Sequence, residues 1–198
     1  LSGRLTWLLH ADGQELRAER IKIVTTGGLS LQSGELGARE RLVAGKELIE
    51  GYVVLDEINL ESAKKFARYL PLPQIDLQKL ADISPVGTLK KLEMRWKGDW
   101  NIPSEYTFRS QFSGLGMQAY ENIPGFTNLS GSVDADETNG TLTIDAQQAQ
   151  LDLKKILREP VPVDKLTGQV KWHNNKDTTE IHVNKLAIAN PHIAGTIN

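Results

Sequence analysis

The chain of 198 residues contains no cysteine and no long apolar run. Without cysteine it can form neither a disulfide, nor a thiolate metal site, nor a cysteine nucleophile. A membrane-spanning helix needs about 18 consecutive apolar residues, and the sequence has no such run. The chain opens with Leu1-Ser2-Gly3, without an initiator methionine or a signal peptide. We therefore interpret residues 1–198 as a soluble fragment of a longer protein, whose membrane anchor we expect outside the fragment.

An excess of charge of one sign is also missing. Lys and Arg total 23, Asp and Glu total 25, and the formal net charge is −2. A nucleic-acid-binding module usually carries clustered basic residues, so we expect no nucleic-acid partner. A disordered segment would combine few apolar residues with a high net charge, whereas 39% of this chain is apolar. The composition fits one folded module.

The sequence lacks the common catalytic and cofactor motifs. Its four histidines do not have zinc-ligand spacing, and neither a phosphate-binding loop nor a nucleophile elbow is present. Asp134 and Asp136, with Glu137 beside them, could bind Ca²⁺ weakly through carboxylate oxygens. We favour a solvated strand end as the explanation of these acids, because their spacing is not that of a calcium loop. We expect no enzyme activity, no cofactor and no catalytic or metal site.

Alternation of apolar and polar residues with period two is the dominant pattern. Lys91 to Lys97 shows it most clearly, and residues 141–144 and 166–173 follow the same rule. Such a pattern is typical of half-buried antiparallel strands, since buried parallel strands read as continuous apolar runs. Asp12-Gly13 and Asn139-Gly140 are favoured hairpin dipeptides, and we predict turns there. The fold class is mainly β with minor α.

A repeat gives the sheet its predicted shape. Residues 1–23 align without a gap with residues 166–188, and Trp7 corresponds to Trp172. In both copies the alternation changes parity in the second strand, near Glu19–Arg20 and Asn184–Lys185 respectively. One inserted residue in a strand is a β-bulge, which bends and twists a sheet. We predict similar hairpins in a strongly curved, twisted antiparallel sheet, although chance similarity between two amphipathic hairpins is the alternative.

One helix is predicted clearly. Asn59 is a good N-cap residue, an apolar stripe at helical spacing runs over residues 60–70, and Pro71 follows. We expect this helix to pack on the sheet. A second, shorter helix is predicted at about 77–83 and a single turn at 153–157. The proline-rich stretch at 70–74 is a possible junction, dividing the module into a sheet plus helix at 1–73 and a sheet at 74–198.

Several short motifs occur in order over most of the chain. The motifs are Leu70-Pro71-Leu72-Pro73, Ser84-Pro85-Val86-Gly87-Thr88-Leu89, Met94-Arg95-Trp96-Lys97-Gly98, Ile123-Pro124-Gly125-Phe126-Thr127-Asn128-Leu129-Ser130-Gly131, Asn139-Gly140-Thr141-Leu142, Glu159-Pro160-Val161-Pro162-Val163-Asp164 and Leu166-Thr167-Gly168-Gln169-Val170-Lys171-Trp172. In their order and spacing these motifs resemble the YhdP family of Gram-negative bacteria, which belongs to the AsmA-like group.

The resemblance implies an internal section of a periplasmic protein anchored in the inner membrane, which carries phospholipid along a β-sheet groove and contributes to the outer-membrane permeability barrier. It implies no catalytic residues. Acyl chains would contact one apolar strand face, whose candidate residues are Leu92, Met94, Trp96, Leu142, Ile144, Val170 and Trp172. The alternative is a structural scaffold or protein-interaction domain with a closed core and no ligand. The helix at 60–70 must cover apolar surface, so the sequence leaves open whether the groove is free or filled.

Overall fold

The protein is described by a computed structural model. Its described residues are 2–25, 30–31, 33–67, 74–99, 102–121, 123–153, 158–190 and 194–197. They form an open antiparallel sheet and two helices, in agreement with the predicted fold class.

Eleven strands follow one another along this sheet in chain order, and one short strand pairs beside them. The strands are β1 (Ser2–His10), β2 (Gly13–Val24), β3 (Ser30–Leu31), β4 (Gly34–Val43), β5 (Lys46–Asn59), β6 (Val86–Asp99), β7 (Ile102–Met117), β8 (Gly125–Asp136), β9 (Asn139–Asp152), β10 (Val161–Asn174), β11 (Thr179–Ala189) and β12 (Ala194–Ile197). The order is β1-β2-β4-β5-β6-β7-β8-β9-β10-β11-β12, with β3 paired to β2. Strands β1 and β12 are therefore the two edges.

The two ends of the strands differ in their connections. At one end, which we call the hairpin end, adjacent strands are joined by short segments such as residues 11–12, 44–45 and 137–138. At the other end, the connection end, most links are longer, and the link between β5 and β6 contains both helices. Because neighbouring strands along the order are antiparallel, successive links alternate between the two ends.

The helices are α1 (Leu60–Ala67) and α2 (Gln74–Ile83). The predicted N-cap is confirmed, since the Ser62 backbone N–H donates to Asn59 Oδ1 at 2.9 Å. Helix α1 packs on β5 and β6, as expected. The prediction for α2 was too short, because the helix begins at Gln74, directly after Pro73, rather than at Leu77. The turn predicted at 153–157 falls almost wholly outside the described residues.

The predicted hairpin repeat is confirmed. The pairing of β1 with β2 shifts between Ser2 and Arg4, and that of β10 with β11 shifts between Thr167 and Gln169. The inserted residues are Arg20 and Lys185, which occupy equivalent positions and have positive φ angles of 52° and 51°. Each of the two parity changes predicted from the sequence thus corresponds to a β-bulge, one in each hairpin.

The predicted turn at Asn139-Gly140 was wrong by two residues. Residues 137–138 make the turn, and Asn139 and Gly140 are the first residues of β9, opposite His173 and Trp172. Gly140 lies in the strand because the Trp172 ring occupies the space where a Cβ atom would stand. Similarly, residues 11–12 form the first turn, so Gly13 begins β2 instead of sitting within the turn.

A hydrophobic core lies at the connection end of β7 to β10. Ala146, Ala149 and Val163 are each 1% exposed. Ala146 and Ala149 are an odd number of residues apart, which simple alternation would place on opposite faces. Gln148 between them has a positive φ of 54°, and this irregularity keeps both alanines on the buried face. The cluster also contains Phe112, Leu129, Ile144 and Leu166.

Candidate functional site

All seven residues predicted to face lipid lie on one face of the sheet. Strand alternation places Leu92, Met94 and Trp96 together on β6. Leu142 pairs directly with Val170, while Trp172 pairs with Gly140 and Ile144 with Gly168. Register pairing then connects the two groups across β7 and β8, because residues opposite each other in an antiparallel pair share a face.

This face carries an unbroken apolar row across ten strands. One residue from each strand stands in register with the next, from one edge strand to β11. The row consists of Leu5, Ala18, Leu36, Val53, Met94, Phe108, Ala135, Gly140, Trp172 and Ile181. Two parallel rows flank it. The first contains Trp7, Leu16, Ala38, Gly51, Trp96 and Tyr106, and the second contains Ser110, Val133, Leu142, Val170 and Val183. We call these three rows the apolar band.

The apolar band is incompletely covered. Toward β1, Leu5 is 70% and Trp7 66% exposed, and Ile181 is 64% exposed at the opposite side. Met94 and Trp172 in the middle are half-buried. Of the seven predicted residues, Ile144 alone is buried and belongs to the core at the connection end. The apolar face therefore divides into a closed core at the connection end and a partly open band toward the hairpin end.

Two tryptophans of the band rest on glycines of neighbouring strands. A Cβ atom at Gly51 would collide with the Trp96 ring, and one at Gly140 would collide with Trp172. Each indole ring therefore covers the backbone of the neighbouring strand at its glycine, and this adds aromatic surface to the apolar band. Sequence reasoning identified both tryptophans but missed the glycines. The signal was a glycine inside an alternating strand, which indicates close approach by another group.

A cleft of about 390 Å³ opens on the apolar band near β1. Trp7, Leu16 and Ile49 contribute apolar surface to it. At its polar end, the Trp7 indole N–H donates to Gln14 Oε1 at 3.3 Å, and Gln14 Nε2 donates to Glu40 Oε2 at 3.0 Å. The cleft thus joins apolar walls to a short chain of hydrogen-bonding groups.

The opposite face of the sheet is polar and strongly charged. Side chains of alternating sign stand in register across five strands, namely Glu15, Arg39, Glu50, Lys97 and Glu105. Glu15 as a whole is 9% exposed, and the hydrogen bond that its carboxylate accepts from Arg17 holds its pKa below the usual value. Lys97 pairs with Glu105 at 2.7 Å. We call this the polar face.

The acids considered for Ca²⁺ are engaged within the protein. Asp134 accepts from Arg109, with 3.0 Å between Arg109 Nε and Asp134 Oδ2. Asp136 accepts from the backbone N–H groups of Asn139 and Thr138 at 2.6 and 2.8 Å, which lowers its pKa. Across the part of the chain that the structure describes, no three His, Asp or Glu side chains come together as metal ligands would.

A cavity of about 570 Å³ lies chiefly on the polar face, near the hairpin end. Tyr52 is central to it, because its ring covers Gly37 and the Arg95 guanidinium stands 5.7 Å from the ring centroid. Sequence reasoning did not find this cavity, since it arises from cross-strand register and not from spacing along any one strand.

Neither α1 nor α2, the two helices within the described ranges, has the length and apolar character of a membrane-spanning segment. No curated protein and no solved structure shows significant similarity to the chain. The family model described as YhdP protein matches residues 1–198, the full length of the sequence. This is the family indicated by the sequence motifs, and its members are bacterial envelope proteins of the AsmA-like group. The chain belongs to the YhdP family.

Proposed function

We propose that this segment is a non-enzymatic section of a phospholipid conduit on the periplasmic side of the inner membrane. The observation that carries the proposal is the apolar row, which crosses ten strands from Leu5 to Ile181 without a polar side chain. The row runs perpendicular to the strands. This is the direction in which an open sheet is extended when further strands are added. A ligand following it would pass from one strand to the next.

The dimensions of the row suit an acyl chain. Adjacent strands are about 4.8 Å apart, so the nine steps between ten strands span roughly 43 Å along the sheet. The hydrocarbon core of a bilayer is about 30 Å thick, or about 15 Å per leaflet. The row is therefore longer than one extended lipid tail, and a tail could occupy successive positions along it.

The energetics favour an occupant for the band. Apolar surface in water costs about 25 cal/mol per Å² relative to burial, and large contiguous apolar patches on soluble proteins mark binding sites. Leu5, Trp7 and Ile181 are each more than half exposed on this face. A phospholipid tail would cover them, while the charged polar face meets water. We infer no chemical step, because nothing in the band can act as an acid, base or nucleophile on a hydrocarbon chain.

The test compares Met94→Asp with Thr143→Asp. Met94 is half-buried within the band, and Thr143 is exposed on the polar face of β9. Binding of a fluorescent phospholipid and thermal unfolding are measured on each variant and on the unchanged chain. A carboxylate in the band would remove apolar contact and place an ion against hydrocarbon. We expect Met94→Asp to melt cooperatively but to lose lipid binding, and Thr143→Asp to retain both.

Two results would contradict the proposal. If Met94→Asp loses its cooperative melt and the unchanged chain binds no lipid, the band is part of a closed core, and the scaffold interpretation holds. If Met94→Asp folds and binds lipid as well as Thr143→Asp does, the band is not the lipid path.

A further inference from the structure

The cleft beside β1 joins the apolar band to a row of polar side chains. Trp7, Leu16 and Ala38 belong to the row of the band that lies nearest the hairpin end. The next row in that direction contains Gln14 and Glu40, which stand opposite each other on β2 and β4. The cleft of about 390 Å³ is lined by residues of both rows. A molecule seated there would contact apolar surface on one side and hydrogen-bonding groups on the other, which is the arrangement that suits an amphiphile.

Two hydrogen bonds fix the polar groups of the cleft relative to one another. The Trp7 indole N–H donates to Gln14 Oε1 at 3.3 Å, and Gln14 Nε2 donates to Glu40 Oε2 at 3.0 Å. The Gln14 amide therefore lies between the Trp7 ring, which is 66% exposed as a residue, and the Glu40 carboxylate. A side-chain amide has two N–H donors, and the bond to Glu40 uses one of them.

The charge of Glu40 is not neutralised by an ion pair with any cation of the described residues. Its neighbours along β4 are Arg39 and Arg41, and strand alternation directs both to the polar face. Arg39 also borders the cleft, but it stands in register with Glu50, and Arg41 pairs with Glu50 at 3.2 Å. A carboxylate can accept about four hydrogen bonds, so Glu40 keeps acceptor capacity beyond the bond from Gln14.

The apolar face around the cleft carries negative charge only. Among the described residues of β1, β2, β4 and β5, those on this face from the Leu5 row to the hairpin end include Glu40 and Glu47 but no lysine or arginine. Glu47 lies diagonally across from Glu40, because Glu40 stands opposite Ile49. The local field therefore favours a cation and opposes a ligand that is only an anion.

We propose that the cleft binds the primary ammonium group of a zwitterionic phospholipid headgroup, as in phosphatidylethanolamine. The inference rests on the proposed function, because the apolar band supplies the contacts to the lipid tails. A primary ammonium group has three N–H donors, and its charge complements the Glu40 carboxylate. The exposed Trp7 ring adds a surface that attracts a cation. The second N–H of Gln14 is suited to the phosphate of the same headgroup.

Three short-chain lipids separate the contribution of the headgroup from that of the tails. Dihexanoyl phosphatidylethanolamine, phosphatidylcholine and phosphatidylglycerol have identical tails, and each is titrated calorimetrically below its micelle concentration. The choline headgroup has the same charge as ethanolamine but no N–H donor, and the glycerol headgroup has no cation. We expect the ethanolamine lipid to bind most tightly, with a preference over the choline lipid of about fivefold, as for one hydrogen-bonded ion pair at a partly exposed site.

Two variants test the role of Glu40. Glu40→Gln removes the charge but keeps the length of the side chain and an oxygen that accepts from Gln14. Glu35→Gln removes one negative charge from an exposed position on the opposite face of the same strand, so it is the matched control. We expect Glu40→Gln to bind the ethanolamine and choline lipids equally and Glu35→Gln to keep the preference. Thermal melting verifies that both variants fold.

The cleft site is overturned if the unchanged chain binds the ethanolamine and choline lipids alike, or if the preference survives in Glu40→Gln. Equal loss of the preference in Glu35→Gln would assign it to net charge and would also contradict the site. Met94→Asp distinguishes the site from the conduit, because it should abolish binding of all three lipids, whereas Glu40→Gln should abolish only the preference. Lipid binding without a headgroup preference would leave the conduit standing and remove the site, and failure of all three lipids to bind the unchanged chain would contradict both.

Discussion

At the scale of single residues, aromatic rings covering glycines shape both faces of the sheet. Trp96 covers Gly51 and Trp172 covers Gly140 on the apolar band, while Tyr52 covers Gly37 on the polar face. Glycine in a strand normally weakens it, because it packs no side chain. Here the neighbouring ring supplies the missing contact, so the aromatic residue and the glycine work as a pair.

Gly140→Ala should therefore destabilise the protein, although alanine is ordinarily better than glycine inside a strand. The new Cβ would collide with the Trp172 ring and force it from its position. Overpacking of this kind costs about 1–3 kcal/mol. Chemical denaturation measures the loss, and near-UV circular dichroism reports the tryptophan environment. Gly195→Ala is the matched control, since a Cβ there would meet nothing within 4 Å. Equal stability of the two variants would contradict the pairing.

Asp136 closes the turn between β8 and β9. Its carboxylate accepts hydrogen bonds from two backbone N–H groups, those of Asn139 and Thr138, and these hydrogen bonds hold its pKa below the usual value for aspartate. A group with a depressed folded-state pKa stabilises the fold above its unfolded pKa. That contribution is lost as the pH falls through the folded-state pKa.

Asp136→Asn should consequently melt at a lower temperature than the unchanged chain at pH 7, and the difference should shrink as the pH is lowered below about 4. An amide oxygen accepts hydrogen bonds less strongly than a carboxylate, but at low pH the native carboxyl is also neutral. Thermal melts at several pH values measure the difference. Asp145→Asn, at an exposed strand position, is the control. A difference that stays constant with pH would show that the carboxylate charge is not what closes the turn.

At the scale of elements, period-two alternation predicted the strand segments 91–97, 141–144 and 166–173, and the structure places their apolar residues on one face. It grouped Met94, Leu142 and Trp172 although they lie far apart in sequence, because every intervening strand pairs with its neighbour. The parity changes at Arg20 and Lys185 correctly indicated bulges. The turn at Asn139-Gly140 could not be placed from local preference, since the Trp172 ring on the next strand requires glycine within β9.

Helix α1 depends on its cap. Asn59→Ala removes the side-chain oxygen that accepts the Ser62 N–H, and should cost about 1 kcal/mol. Asn59→Asp retains the acceptor and should stay close to the unchanged chain. Chemical denaturation followed by far-UV circular dichroism compares the three proteins. If both variants lose the same stability, Asn59 acts through its contacts with the sheet and not through capping.

At the scale of the whole molecule, the apolar face combines a closed core with an open band. The core from Phe112 to Leu166 lies at the connection end of β7 to β10, whereas the band lies toward the hairpin end. Alternation alone could not predict this division, because it assigns a side chain to a face but does not say what covers that face. Ile144 and Met94 have the same pattern in sequence and different surroundings in the fold.

The central claim is that the apolar band, and not the polar face, contacts lipid tails. The most direct measurement places a photocrosslinking benzoylphenylalanine at Met94 in one protein and at the adjacent Glu93 in another, and irradiates each with phospholipid. These neighbours point to opposite faces, since Met94 pairs with Val53 and Phe108 while Glu93 pairs with Arg109. The account predicts a lipid adduct at position 94 and none at position 93. Equal adducts at both positions, or an adduct at position 93 alone, would contradict it.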